Sequence, residues 1–191
     1  MSQTAPAPDR QDVILEAAFH AFATYGYRRT SMDDIARGAG MSRSALYLHY
    51  RNKEDIFRSL VQRFFETALV DMTVALADPG RPADEALAAV FAAKDGKFVE
   101  VVLGTPHGAE LMDAGFAISG DLARQGEVQM VSVLAAWLRQ RALPEGIGTA
   151  DEIAGTIMTA LHGMKSSAGG IEAYRAGQAR LARLFGRALT A

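Results

Sequence analysis

Apolar residues recur along this chain at steps of three and four, and no stretch alternates apolar with polar residues between turn signals. That period belongs to helices with one buried face. Between Asp9 and Tyr25 the positions Ile14, Ala17, Ala18, Ala21, Phe22 and Tyr25 form one such face, and Gly26 ends the helix. Thr30 and Ser31 are candidate caps, each with an acid three residues on (Asp33, Asp34). They open a short second helix through Ile35 and Ala36 to Ala39, which Gly40 stops. Ser42 can cap a third helix, Arg43 to about Tyr50, with Leu46 facing inward. Asn52 can cap a long fourth helix, Lys53 to Ala77, in which Phe57, Leu60, Val61, Phe64, Ala68, Met72 and Ala75 keep the helical step until Asp78-Pro79-Gly80-Arg81-Pro82 breaks it. Further helices are expected over 83–103, interrupted near Gly96, then 106–113, 118–142, 150–166 and 172–189. The pattern predicts an all-α fold of about nine helices. Residues 1–8 read as a flexible leader, 9–58 as a three-helix domain, and 59–191 as a C-terminal helical domain joined to it by the long helix 4.

Composition narrows the chemistry. With 49% hydrophobic and 22% charged residues in 191, the chain has the makings of a folded core. It has no cysteine, which excludes disulfides, thiolate metal sites and a cysteine nucleophile. The first ten residues lack a basic and an apolar segment, and 18 uninterrupted apolar residues occur nowhere, so a cytoplasmic location with no membrane partner is expected. The net charge is only −2, but it is unevenly spread: from Arg28 to Lys53 six cations face two acids. A locally basic segment on a mildly acidic body suggests a module that faces an anion, although a solvated charged face would look the same.

That basic segment holds helix 2, a tight turn at Gly40 and helix 3, the order of a helix-turn-helix, with Ala36 as the small residue at the crossing. The run TSMDDIARGAGMSRSALYLHYRNKEDIF, Thr30 to Phe57, resembles the DNA-binding segment of the TetR family of bacterial transcriptional regulators, and the resemblance covers about Asp12 to Leu60. Its substance is Asp34-Ile35-Ala36, Ala39-Gly40-Met41-Ser42, Leu46-Tyr47, His49-Tyr50 and Asn52-Lys53-Glu54 at fixed spacing. Arg43 can bond guanine O6 and N7 with both arms, Ser44 offers a hydroxyl, and Ala45 a methyl-sized contact for thymine. In the family the positions of Tyr47, His49 and Lys53 hold the phosphate backbone, and Thr30 and Ser31 can do likewise. Where the family most often has Gly-Thr or Gly-Ser before Leu-Tyr, this chain has Ser44-Ala45, so its operator sequence cannot be taken from a relative.

Past Leu60 the resemblance is looser. It implies a small-molecule pocket within the C-terminal domain and a two-fold homodimer through the last two helices. Phe64, Ala68, Met72, Phe98, His107, Met112, Phe116, Met130 and Trp137 are candidates to line the pocket; Ile153, Ile157, Leu161, Met164, Tyr174, Leu181, Leu184 and Phe185 are candidates for the dimer interface. Each can equally be core packing. The resemblance implies a ligand-responsive repressor on a pseudo-palindromic operator, with no cofactor, no metal and no catalysis. A rival reading is a helical small-molecule-binding protein without DNA affinity. The other is a metal-dependent enzyme built on His107, Glu110 and Asp113, but three residues within seven positions leave no second histidine or distant carboxylate to complete a site.

Overall fold

The computed structural model describes residues 9–189, so the leader expected over 1–8 lies outside the described residues. Nine α-helices follow one another among the described residues: α1 Arg10–Tyr25, α2 Met32–Gly38, α3 Arg43–Tyr47, α4 Lys53–Ala75, α5 Ala83–Asp95, α6 Phe98–Gly104, α7 Gly108–Arg139, α8 Ala150–Ser167 and α9 Ile171–Ala188. Two boundaries differ from expectation. α3 ends three residues early because the Leu48 and His49 N–H groups turn back to the Ala45 and Leu46 carbonyls, tightening the last turn. The two helices expected over 106–113 and 118–142 are one helix with a kink at Ser119 (φ −133°, ψ 22°). The kink frees the Ile118 carbonyl, and the Arg58 guanidinium takes it up.

The chain divides into two compact units, and the division differs from a single cut near residue 58. One unit holds the residues up to Gln62 together with Thr105–Gly120; the other holds Arg63–Gly104 and the chain from Asp121 onward. Of the three junctions, two fall inside helices, α4 and α7, and the third follows the end of α6.

In the first unit the inward faces of α1, α2, α3 and the start of α4 meet in Ile14, Ala18, Phe22, Ile35, Leu46, Ile56 and Phe57, all nearly fully buried. The Phe22, Tyr27 and Phe57 rings pack at centroid distances of 5.1–5.5 Å. In the second unit Leu87, Val90 and Phe91 of α5, Met130, Leu134 and Leu138 of α7, and Ile157 and Leu161 of α8 close one core with Ala182 of α9. Removing each large side chain of that set from water contributes about 1.5–3 kcal/mol.

The packing of α5 against α9 requires Gly186. A methyl group added there would fall 2.6 Å from backbone atoms of Asp84, which cannot swing aside as a side chain would. Gly186→Ala is therefore expected to lower stability by about 1–3 kcal/mol through overpacking. Urea denaturation checks this, and an unchanged midpoint would show that the two helices can separate freely.

Candidate nucleic-acid interface

The helix-turn-helix is set by two caps and one anchor. Ser31 and Asp34 form a reciprocal capping box: the Ser31 hydroxyl oxygen accepts from the Asp34 N–H (3.2 Å), and the Asp34 carboxylate accepts from the Ser31 N–H (3.0 Å) and hydroxyl (2.6 Å). These Ser31 bonds hold the Asp34 carboxyl below its usual pKa. Ser42 caps α3 by accepting from the Ala45 N–H at 3.1 Å. Leu46, fully buried, pins the underside of α3. That leaves Arg43, Ser44, Tyr47, Leu48 and His49 exposed on one surface, with Ala45 half-buried among them and Tyr50 turned inward. Tyr47 is 43% exposed, which excludes a core role for its ring.

Arg43 is held ready rather than free. Its guanidinium donates to the Asp33 carboxylate (3.1 Å) and the Tyr47 hydroxyl (3.4 Å) and lies over the Tyr47 ring at 5.5 Å. Both partners of the ion pair are well solvated, and such pairs are worth little, so an incoming anion or base edge can replace Asp33. Asn52 opens α4 by accepting from the Asp55 N–H at 2.8 Å.

Two residues expected at phosphate are occupied elsewhere. Lys53 Nζ donates to the carbonyls of Tyr27 (2.8 Å), Arg28 (3.0 Å) and Thr30 (3.1 Å), which uses all three of its protons. It also sits 4.6 Å from the centre of the Tyr27 ring. Thr30 is buried, and its hydroxyl donates to the carbonyls of Gly26 (2.7 Å) and Ala21 (3.2 Å). Both side chains fasten the α1–α2 turn by supplying donors to its backbone carbonyls. The third fastener is Glu110 at the start of α7, whose carboxylate accepts the Arg28 N–H at 2.7 Å with His107 Nδ1 at 3.8 Å beside it. Gly26, at φ +79°, lets the backbone pass directly under that carboxylate. His107 and Glu110 thus serve the turn, and among the described residues no group of three or more His, Cys, Asp or Glu is placed to hold a metal ion.

The nine candidate pocket residues are divided between the two units. Ala68, Met72, Met130 and Trp137 belong to the core of the second unit, and the Phe64 and Phe98 rings pair at 5.2 Å in the same unit. His107 and Met112 belong to the first unit, and the side chain of Phe116 lies outside the described residues. Of the dimer candidates, Ile153, Ile157, Leu161 and Tyr174 are buried within the chain itself. Met164, Leu181 and Phe185 are half-buried, and Leu184 is 67% exposed. Sequence reasoning missed Asp95, which is 3% exposed. The signal was present: Leu87, Phe91 and Asp95 lie at steps of four on the buried stripe of α5.

A short second helix, a tight turn and a capped third helix with one solvent-facing polar surface have the form of a helix-turn-helix. Residues 14–60 match the family model of bacterial regulatory proteins, tetR family. The N-terminal domain is thus similar to the DNA-binding domain of that family. It is 38% identical over 55 residues to the negative transcriptional regulator of the biofilm operon, IcaR, of Staphylococcus epidermidis, covering 29% of this chain and 30% of that one. It is 39% identical over 61 residues to the regulator TtgR of Pseudomonas putida, 32% of this chain and 29% of that one. The chain thus spans under a third of the length of these two relatives. The whole fold is similar to a transcriptional regulator from Rhodococcus (TM-score 0.68, 19% identity, 91% of this chain and 94% of that one). It is also similar to SmeT, the repressor of a multidrug efflux pump of Stenotrophomonas maltophilia (TM-score 0.62, 21% identity, 96% and 90%). These are transcriptional regulators, not enzymes. Regulators of this family bind operator DNA, typically as dimers and with small-molecule effectors. No helix among the described residues is long and apolar enough to cross a membrane.

Replacing Lys53 by Met leaves turn carbonyls without donors, and replacing Thr30 by Val removes the buried hydroxyl bond to the Gly26 and Ala21 carbonyls. Each change is expected to destabilise the first unit by about 1–3 kcal/mol. Hydrogen exchange of the α1–α2 turn and urea midpoints measure this; undiminished protection in Lys53→Met would return Lys53 to the role of a phosphate contact.

Proposed function

We propose that this protein is a ligand-responsive transcriptional regulator, in its ordinary working a repressor, that binds a pseudo-palindromic operator as a homodimer. The observation that carries the reading is the exposed surface of α3, where Arg43 and Tyr47 are mutually oriented over a buried Leu46 with no folding role that needs both. Arg43 reads guanine, Ser44 and Ala45 read neighbouring base edges, and Tyr47 and His49 hold phosphate, with Ser31 at the start of α2 contributing a further polar contact. Lys53 and Thr30 act one step back, by fixing the turn from which α2 starts. Two copies of α3 would enter successive major grooves about 34–36 Å apart. An effector taken up by the second unit would act on the reader through α4 and α7, the two helices in which the units are continuous, by preferring a state of the dimer with the wrong spacing.

Selection of bound duplexes from a random pool tests the function directly. Arg43→Ala is expected to relax preference at one base position, at a cost of about 1–3 kcal/mol in discrimination, whereas Tyr47→Phe weakens all sequences alike. Retention of the full preference in Arg43→Ala would move the reading to another residue. For assembly, the outward remainder of the terminal helices is Leu184, so Leu184→Glu is expected to shift the protein toward monomer in light scattering. A dimer unaffected by that change, or a wild-type monomer at micromolar concentration, would place the two-fold contact elsewhere or remove it.

A further inference from the structure

Inside the second unit a carboxylate sits where an apolar side chain would complete the α5 stripe. Asp95 Oδ2 is well served: it accepts from the Tyr174 hydroxyl (2.8 Å) and from Gln178 Nε2 (2.7 Å), and Gln178 also donates to the Phe91 carbonyl (3.2 Å). Asp95 Oδ1 is served differently. Two ammonium groups, Lys94 (3.4 Å) and Lys165 (3.5 Å), both approach it at the outer edge of hydrogen-bond range. Their side chains are only 11% and 13% exposed. Each ammonium carries three protons, and among the described residues each makes that one long contact and no other.

The cluster therefore has an excess of donors and positive charge. Tyr174 and Gln178 donate as well, so every group around Asp95 offers a proton and only one carboxylate receives them. The Tyr174 phenol is pushed far up, by burial first and then by the Asp95 charge, so it remains a donor. Burial, followed by the repulsion of Lys94, lowers the Lys165 pKa. The one further acid that acts on Lys165 is Glu127 of α7, which is exposed and makes no ion pair with it. Two nearly buried ammonium groups sharing one oxygen are costly unless a second anion joins them. About a tenth of each side chain remains open to solvent, which gives such an anion a way in.

We propose that Lys94 and Lys165 are the head-group site of an acidic small-molecule effector, whose carboxylate or phosphate bridges the two ammonium groups opposite Asp95. This rests on the second unit being the effector-binding part of a regulator, and it names the effector's chemistry. A bidentate anion would satisfy donors that the protein leaves unmet, and the site would discriminate strongly against a neutral analogue of the same shape.

The test uses the full chain without DNA, so its failure is separate from any failure of operator binding. Octanoate and inorganic phosphate are titrated as probes of the two head groups, with octan-1-ol as the neutral control, by calorimetry and thermal melting. Saturable binding of at least one anion with a rise in melting temperature, no such rise with octan-1-ol, and a loss of at least tenfold in affinity in both Lys165→Met and Lys94→Met are expected. Which anion binds identifies the head group. Without anion, Lys165→Met is expected to melt no lower than wild type, because it removes one of two cations crowding a single carboxylate oxygen. No response to either anion, an equal response in the Met variants, or a Lys165→Met protein that melts lower than wild type would overturn the proposal and make the cluster a structural network.

Discussion

One ammonium group fixes the reader. The turn from α1 to α2 carries carbonyls that no helix satisfies, and Lys53 meets three of them, those of Tyr27, Arg28 and Thr30, from the start of α4. The orientation of α2 depends on where that turn sits, and the orientation of α3 depends on α2, because only four residues from Ala39 to Ser42 separate the two helices. Thr30 locks the same turn from within, and Glu110 takes the one N–H that points the other way. A cationic side chain in a DNA-binding segment is thus spent on the backbone rather than on the ligand, and the surface it supports gains rigidity in return.

The fold was largely legible in the sequence, because helical period, caps and breakers all agree there. Ser31 with Asp34, Ser42 and Asn52 cap where their spacing says they should, and Gly26, Gly96 and the Pro79 to Pro82 stretch interrupt helices as expected. What the sequence concealed are contacts made over long separations. Nothing near Lys53 announces a carbonyl 26 residues away, and nothing near Glu110 announces Arg28, 82 residues away. Local spacing made His107, Glu110 and Asp113 resemble the beginnings of a metal site; the fold gave the first two a backbone turn to hold. The exposed surface of α3 was readable because Leu46 alone on that short helix is apolar and inward, which fixes the outward direction of Arg43, Ser44 and Tyr47.

The terminal helices show the opposite limit. An apolar stripe does not say whether its partner is the same chain or another copy. Ile153, Ile157, Leu161 and Tyr174 have the pattern of an interface and the burial of a core, and only the three-dimensional packing within the second unit separates the two. The apolar surface that remains for a partner is narrower than the sequence suggested, centred on Leu184 with Met164, Leu181 and Phe185 partly covered.

The two units treat charge in contrasting ways, and the contrast bears on which of them responds to a ligand. Around the α1–α2 turn the cation Lys53 faces carbonyls at 2.8–3.1 Å, so each of its three protons has an acceptor within the protein. Around Asp95 two ammonium groups stand at 3.4 and 3.5 Å from one oxygen, and donors outnumber acceptors. A matched network has one low-energy arrangement. An unmatched one lies higher in the absence of an anion and lower in its presence, which is the differential interaction that any ligand-driven shift of population requires. Asp95 closes α5, Lys165 lies in the last turn of α8, and Tyr174 lies in the first turn of α9 with Gln178 one turn further on. An anion gathered at that point would draw three helix ends together, which makes it the place in the second unit where a small charged group can do the most to its packing.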